Sequence, residues 1–133
     1  MDADVEMLQL AADAALKKTD GRAFRLGAVG MRRDNRMVSA SNGPSPYPTP
    51  NAHAEARLLL KLTPGSSVWV ARVRRDGSLG IARPCGACER RLRAGGVVRV
   101  VYTISDNEYG VIDFRKQDEQ VRNRRGARPR MTF

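Results

Sequence analysis

One histidine and two cysteines are the whole supply of soft metal ligands in this 133-residue chain, and they fall into two short clusters. A carboxylate follows the histidine in His53-Ala54-Glu55, and both cysteines lie in Pro84-Cys85-Gly86-Ala87-Cys88. Thiols at i and i+3 share one face of a helix, and a helix N-terminus favours the thiolate, the form that binds a metal ion. Two sulfurs and one imidazole nitrogen are good zinc ligands, and the chain has no fourth Cys or His. Structural zinc is almost always closed by four protein ligands, whereas catalytic zinc keeps three and leaves one position for water. The count therefore favours an open, hydrolytic zinc site held by His53, Cys85 and Cys88, with Glu55 as its proton shuttle. A redox Cys-x-x-Cys pair is the competing reading of the cysteines, and it leaves His53 and Glu55 without a role.

These residues need elements to hold them. Val5, Leu8, Ala12, Ala15 and Leu16 recur at helical spacing, which predicts an amphipathic helix over 4–18, stopped by Thr19-Asp20-Gly21. Two apolar runs, 24–31 and 37–40, flank a polar turn and predict a β-hairpin. Residues 42–51 hold four prolines, which excludes helix and central strand and predicts a rigid extended loop. A second helix is predicted over 52–62, starting at His53 and Glu55 and stopped by Pro64-Gly65. Residues 68–73 read as a strand, with 79–82 either pairing back or leading on. Pro84 opens a third helix that runs to Ala94, and Gly95-Gly96 ends it. The run 97–103 is the most strand-like in the chain, and 111–114 is close enough to return antiparallel to it. The sum is an α/β fold with five strands and about three helices.

Composition bounds the class. The length allows one domain, and a chain this size buries roughly two thirds of its unfolded surface without disulfide staples. No apolar run reaches the ~18–20 residues a membrane-spanning helix needs, and the acidic start is unlike a signal peptide, so a cytoplasmic setting with no membrane partner is expected. Net charge is +10, and residues 115–133 supply half of it, with seven Lys or Arg against Asp118 and Glu119. Beyond 115 the composition is polar, Arg-rich and patternless, so the expected organisation is a domain over 1–114 and a basic tail over 115–133 that takes order from a partner. Clustered arginines are also suited to phosphates, which keeps nucleic acid open as a partner of that tail.

Taken together, the residues resemble the cytidine deaminase family. The stretch from Phe24 to Ala28, Asn42 eighteen residues after Phe24, His53-Ala54-Glu55 eleven residues further on, and Pro84-Cys85-Gly86-Ala87-Cys88 carry the resemblance across about residues 5–114. The order His-x-Glu, then Pro-Cys-x-x-Cys, is the zinc deaminase signature. The resemblance implies a three-layer sandwich built on a mixed sheet, with the two zinc helices on one face, and homo-oligomerisation as a dimer or tetramer. It implies Zn2+ on His53, Cys85 and Cys88, protons moved by Glu55, the base packed against Phe24, the sugar held by Asn42, and backbone contacts to the base at Ala54 and Pro84. Two residues after Asn42, where family members acting on free nucleosides typically carry a ribose-binding glutamate, this chain has Pro44.

The expected activity is hydrolysis of cytosine to uracil in a free cytidine or deoxycytidine nucleoside or nucleotide. Deaminases of polynucleotides are expected to insert a helix between the last two strands, and the few residues around 104–110 cannot hold one. The alternative is a deaminase of cytosine or adenine within single-stranded DNA or RNA, anchored by the tail. A third reading, from another class, is a nucleic-acid-binding module whose zinc is structural, with Glu55 as fourth ligand. Trp69 is expected to be a buried strand residue, Tyr47 a stacking or lid residue, and Tyr109 and Phe114 closing residues of the last hairpin or a subunit contact. Arg83 is a candidate phosphate reader.

Overall fold

The computed structural model describes residues 3–16, 24–41, 54–59, 61–123 and 129–130. Asn42, Tyr47, the rest of the proline-rich loop and His53 lie outside the described residues. Among the described residues eleven elements follow in order: α1 (Ala3–Leu16), β1 (Phe24–Met31), β2 (Met37–Ser41), α2 (Ala54–Leu59), β3 (Ser67–Arg74), β4 (Leu79–Gly80), α3 (Gly86–Ala94), β5 (Arg99–Thr103), β6 (Glu108–Asp113), β7 (Asp118–Asn123) and β8 (Pro129–Arg130). The strands form one mixed sheet in the order β2-β1-β3-β5-β6-β7-β8, with β4 paired to β3. Among the described residues only β3 and β5 pair in parallel, and every other pairing is antiparallel.

The mixed α/β architecture matches the expectation, and the strand count does not. Five strands were expected and eight are present among the described residues. The short β4 is the 79–82 segment pairing back on β3. The other two additions lie past residue 115, where no intrinsic order was expected: β7 pairs along its whole length with β6, and β8 pairs with β7. Backbone hydrogen bonding to a formed edge can recruit a polar segment that shows no apolar alternation of its own. The three helices fall where predicted, although α2 spans only Ala54–Leu59, and the chain leaves it through i→i−3 hydrogen bonds from Lys61 and Leu62.

Alternation along the strands divides the core into two layers. One sheet face presents Ala28, Val68, Val70, Val100, Tyr102 and Ile112 to Ala54, Leu58 and Leu92 of α2 and α3. The other presents Val29, Ala71 and Val73 to the alanines of α1, and Trp69, Val101, Tyr109 and Val111 to Leu8. The result is a three-layer sandwich, α1 on one side and α2 with α3 on the other. The buried α1 positions Leu8, Ala11, Ala12 and Ala15 follow helical spacing, and the small size of the three alanines lets the helix lie close to the sheet. Gly27 faces that helix: a Cβ there would sit 2.0 Å from the Ala11 carbonyl oxygen, so no other residue fits without moving backbone. Trp69 is 7% exposed and donates its indole N–H to Asp4 at 2.9 Å, as expected of a core strand residue with a polar handle.

The β5–β6 hairpin is antiparallel, with only residues 104–107 between its strands. Gly110 of β6 lies opposite Tyr102 of β5, and a Cβ at 110 would fall 2.1 Å from the tyrosine ring. The missing side chain opens a slot across β6 through which Tyr102 reaches β7.

Candidate metal centre and active site

β2 and β3 run the same way, since each is antiparallel to β1, and β5 is parallel to β3. Helix α2 follows β2 and precedes β3, while α3 follows β3 and precedes β5. Both helices therefore run back against these strands and begin at the carboxyl ends of β2, β3 and β5, the end at which open α/β sheets bind ligands. Packing at the opposite end agrees: a Cβ on Gly95, which caps α3, would lie 2.7 Å from Leu59 at the end of α2. Gly65 N–H donates to the Gly96 carbonyl at 2.8 Å, so the entries to β3 and β5 run side by side.

Each expected site position that the structure describes lies at the carboxyl end. Ala54, fully buried, and Glu55 are the first two residues of α2. Phe24 opens β1, with its Cα partnered by Arg74 at the finish of β3. Pro84 is fully buried at the entry to α3. The segment that delivers it is pinned across two strand ends: Thr103 Oγ1 donates to the Gly80 carbonyl at 2.8 Å, Ala82 N–H donates to the Thr103 carbonyl at 2.8 Å, and Leu79 N–H donates to Asp106 Oδ1 at 2.8 Å. Cys85 is the N-cap of α3, with extended backbone (φ −65°, ψ 164°), and its carbonyl accepts the Glu89 N–H at 2.8 Å. Its side chain is exposed and makes no capping hydrogen bond. Cys88, in the first helical turn, is fully buried, and no disulfide joins the two.

This donor set fits a zinc ion. Two thiols three residues apart stand at a helix N-terminus, and one of them is shielded from water. Among the described residues no group of three or more metal-ligating side chains occurs, and the expected third ligand, His53, lies outside them.

Sequence reasoning missed the polar cluster next to the cysteines. Arg83 does not stand open to a phosphate. Its Nε and Nη2 donate to Glu119 Oε2 and Oε1 at 3.0 and 3.1 Å, and Nη2 also donates to Glu89 Oε1 at 3.1 Å. Tyr102 donates its hydroxyl to the same Glu119 Oε2. Burial pushes the Glu119 carboxyl up, yet the bonds from Arg83 and Tyr102 and the arginine charge outweigh it and hold the group below the usual carboxylate range. Burial, then the bond to Glu119, hold the Tyr102 hydroxyl well above the ordinary phenol range. No local pattern could have found this cluster, because Glu119 lies 36 residues from Arg83 on a strand with one buried side chain, Val121. Tyr109 is buried in the layer under α1, and the half-buried Phe114 carries the Arg93 guanidinium 5.0 Å above its ring.

No described helix is long and apolar enough to cross a membrane. A sequence-family profile described as the cytidine and deoxycytidylate deaminase zinc-binding region matches residues 1–104. No curated protein matches the chain. Among solved structures, the cytidine deaminase from Burkholderia pseudomallei superposes with a TM-score of 0.55 at 19% identity, covering 93% of this chain and 94% of that one. The cytidine deaminase from Mycobacterium leprae gives a TM-score of 0.52 at 18% identity over 93% and 95% of the two chains. That from Mycobacterium tuberculosis gives 0.50 at 22% identity over 77% and 85%.

Proposed function

The chain belongs to the cytidine and deoxycytidylate deaminase family, and from that premise we propose that it hydrolyses cytosine to uracil, releasing ammonia, in a free cytidine or deoxycytidine nucleoside or nucleotide. One observation carries the reading: the helix that starts at Ala54-Glu55 and the helix that starts at Cys85 and Cys88 begin at the same carboxyl end of the sheet. The short antiparallel β5–β6 hairpin supports a free substrate over a polynucleotide.

In this reading His53, Cys85 and Cys88 hold zinc. Bound there, the ion supplies the Lewis acidity that brings the pKa of water to near neutrality. Glu55 takes a proton from the water as its oxygen adds to C4, and passes that proton to N3. It then moves the second proton to the amino group, so that the C4–N bond breaks as the new C4–O bond becomes the carbonyl. Phe24 packs on the base, Asn42 holds the sugar, and backbone groups at Ala54 and Pro84 orient the base edge. Burial of Ala54, Pro84 and Cys88 keeps bulk water from that side of the site.

The test is ammonia release from cytidine, deoxycytidine, dCMP and a cytosine-bearing oligonucleotide by the zinc-loaded protein. Turnover of a monomer is expected. Zinc-loaded protein that deaminates none of the four would refute the reading and leave the zinc structural.

A further inference from the structure

We propose that Glu119 of β7 is a positioning residue for the cysteine pair, acting through Arg83 to set how tightly the site holds its metal. The inference rests on the deaminase reading above, in which Cys85 and Cys88 are ligands. Helical geometry and full burial fix Cys88. Cys85 differs: as the N-cap it lies outside helical geometry, so its position relative to Cys88 depends on how the backbone before it is held.

That backbone is held by Arg83. The guanidinium forks onto both oxygens of Glu119, reaches Glu89 one residue past Cys88, and donates from Nη1 to the Pro84 carbonyl at 3.4 Å. One planar cation thus joins residues 83, 84 and 89 across the cysteine span and ties them to a strand that lies two strands beyond β5 in the sheet. Glu119 is itself seated from below. Tyr102, 3% exposed, crosses β6 at Gly110 and donates its hydroxyl to Glu119. Isolated surface ion pairs contribute little, but a bidentate arginine with a second carboxylate and a buried tyrosine behind it restricts geometry far more than a single exposed pair. Groups that orient metal ligands from outside the ligand shell commonly change metal affinity by about 10–100-fold when removed.

The test uses the full chain with Glu119→Ala, Glu119→Gln and Arg83→Lys. Zn2+ affinity is measured by competition with a chromophoric chelator, the thiolate absorption of the Co2+-substituted protein is recorded, and each metal-free protein is melted. Glu119→Ala is expected to weaken Zn2+ binding about 10–100-fold and to shift the Co2+–thiolate spectrum, while the metal-free protein still folds and melts at a lower temperature, since the buried Tyr102 hydroxyl loses its acceptor. Glu119→Gln, which keeps an acceptor oxygen, should fall between. Arg83→Lys keeps the charge and loses the fork, so it should weaken binding as well. Wild-type affinity and spectrum in Glu119→Ala would overturn the proposal. If Glu119→Ala does not fold, wild-type affinity in both Glu119→Gln and Arg83→Lys would do so instead. A wild-type chain that takes up no stoichiometric Zn2+, or Cys85→Ser binding it as tightly as wild type, would refute the deaminase site itself.

Discussion

Removing the carboxylate of Asp4 should be among the most costly single changes outside the site. Asp4 is 7% exposed in the first turn of α1, and it gathers three strands. Trp69 of β3 donates to Oδ1 at 2.9 Å, Arg99 of β5 donates to Oδ1 and Oδ2 at 2.8 and 2.5 Å, and Arg122 of β7 lies 3.7 Å from Oδ2. Asp4→Ala leaves the buried indole N–H without its acceptor, a penalty of about 1–3 kcal/mol. It also breaks an ion pair whose loss, fully buried, would cost about 3–5 kcal/mol. The Arg99 side chain keeps 22% exposure and regains some hydration, so the combined cost should be about 3–4 kcal/mol, a large part of the ~5–15 kcal/mol that stabilises a typical domain. With a urea m-value of about 1.5 kcal/mol/M, the unfolding midpoint at pH 7 falls by about 2 M. Asp4→Asn keeps an oxygen for Trp69 and loses only the charge, so roughly half that shift is expected.

The pH dependence separates charge from packing at this position. Burial alone would raise the Asp4 pKa, but hydrogen bonds from Arg99 and Trp69 and the charges of Arg99 and Arg122 lower it below its ordinary value. A carboxyl depressed in the folded state contributes stability that is full above its unfolded pKa of about 3.9 and is lost as pH falls through the lower folded value. The gap between wild type and Asp4→Asn should therefore be constant near neutrality and close on acidification below about pH 4. Urea melts of the two proteins at a series of pH values check this. A cost below about 0.5 kcal/mol for Asp4→Ala, the range of an ordinary surface change, would refute the reasoning, as would a gap that does not narrow in acid.

Three further outcomes follow from the same geometry. Glu55→Ala should retain zinc and lose ammonia release, whereas Cys85→Ala should lose the metal; metal analysis beside a turnover assay distinguishes them. Gly110→Ala places a Cβ 2.1 Å from the Tyr102 ring and should cost about 1–3 kcal/mol, and Gly27→Ala should cost more, since its nearest neighbours are backbone atoms of α1; thermal melts of both variants give the order. A chain ending at residue 123 keeps β7, the Glu119–Arg83 fork and buried Val121, so its monomer turnover and melting should match the full chain, while ending at 114 should lower both. If the arginines beyond 123 anchor a polymer, the first truncation should selectively lose the salt-sensitive turnover of an oligonucleotide.

That last pair of truncations marks where reading the chain locally stopped working. The helix starts at Glu55 and Cys85, the β1–β2 and β5–β6 hairpins and the core role of Trp69 were legible, because caps, prolines, turn residues and apolar alternation act over a few residues. Strand β7 was not legible. Asp118, Glu119 and Gln120 show no apolar alternation, and what holds them is a register with β6 that exists only once β6 has been placed in the sheet.

By itself, then, the order of residues determined the chemical inventory: one imidazole, two thiols three apart behind a proline, and one carboxylate two residues past the histidine, with helix starts beneath both clusters. These follow from residue type and short-range backbone preference, which need no knowledge of the rest of the chain. Tertiary structure alone decided that both helices begin at one end of the sheet, that a glycine in β6 lets a tyrosine pass, and that a glutamate from the expected tail grips the arginine before the first cysteine. The physical reason is that strand pairing joins residues far apart in sequence, and a charged side chain finds its partner only after the backbone has brought the two within hydrogen-bonding reach.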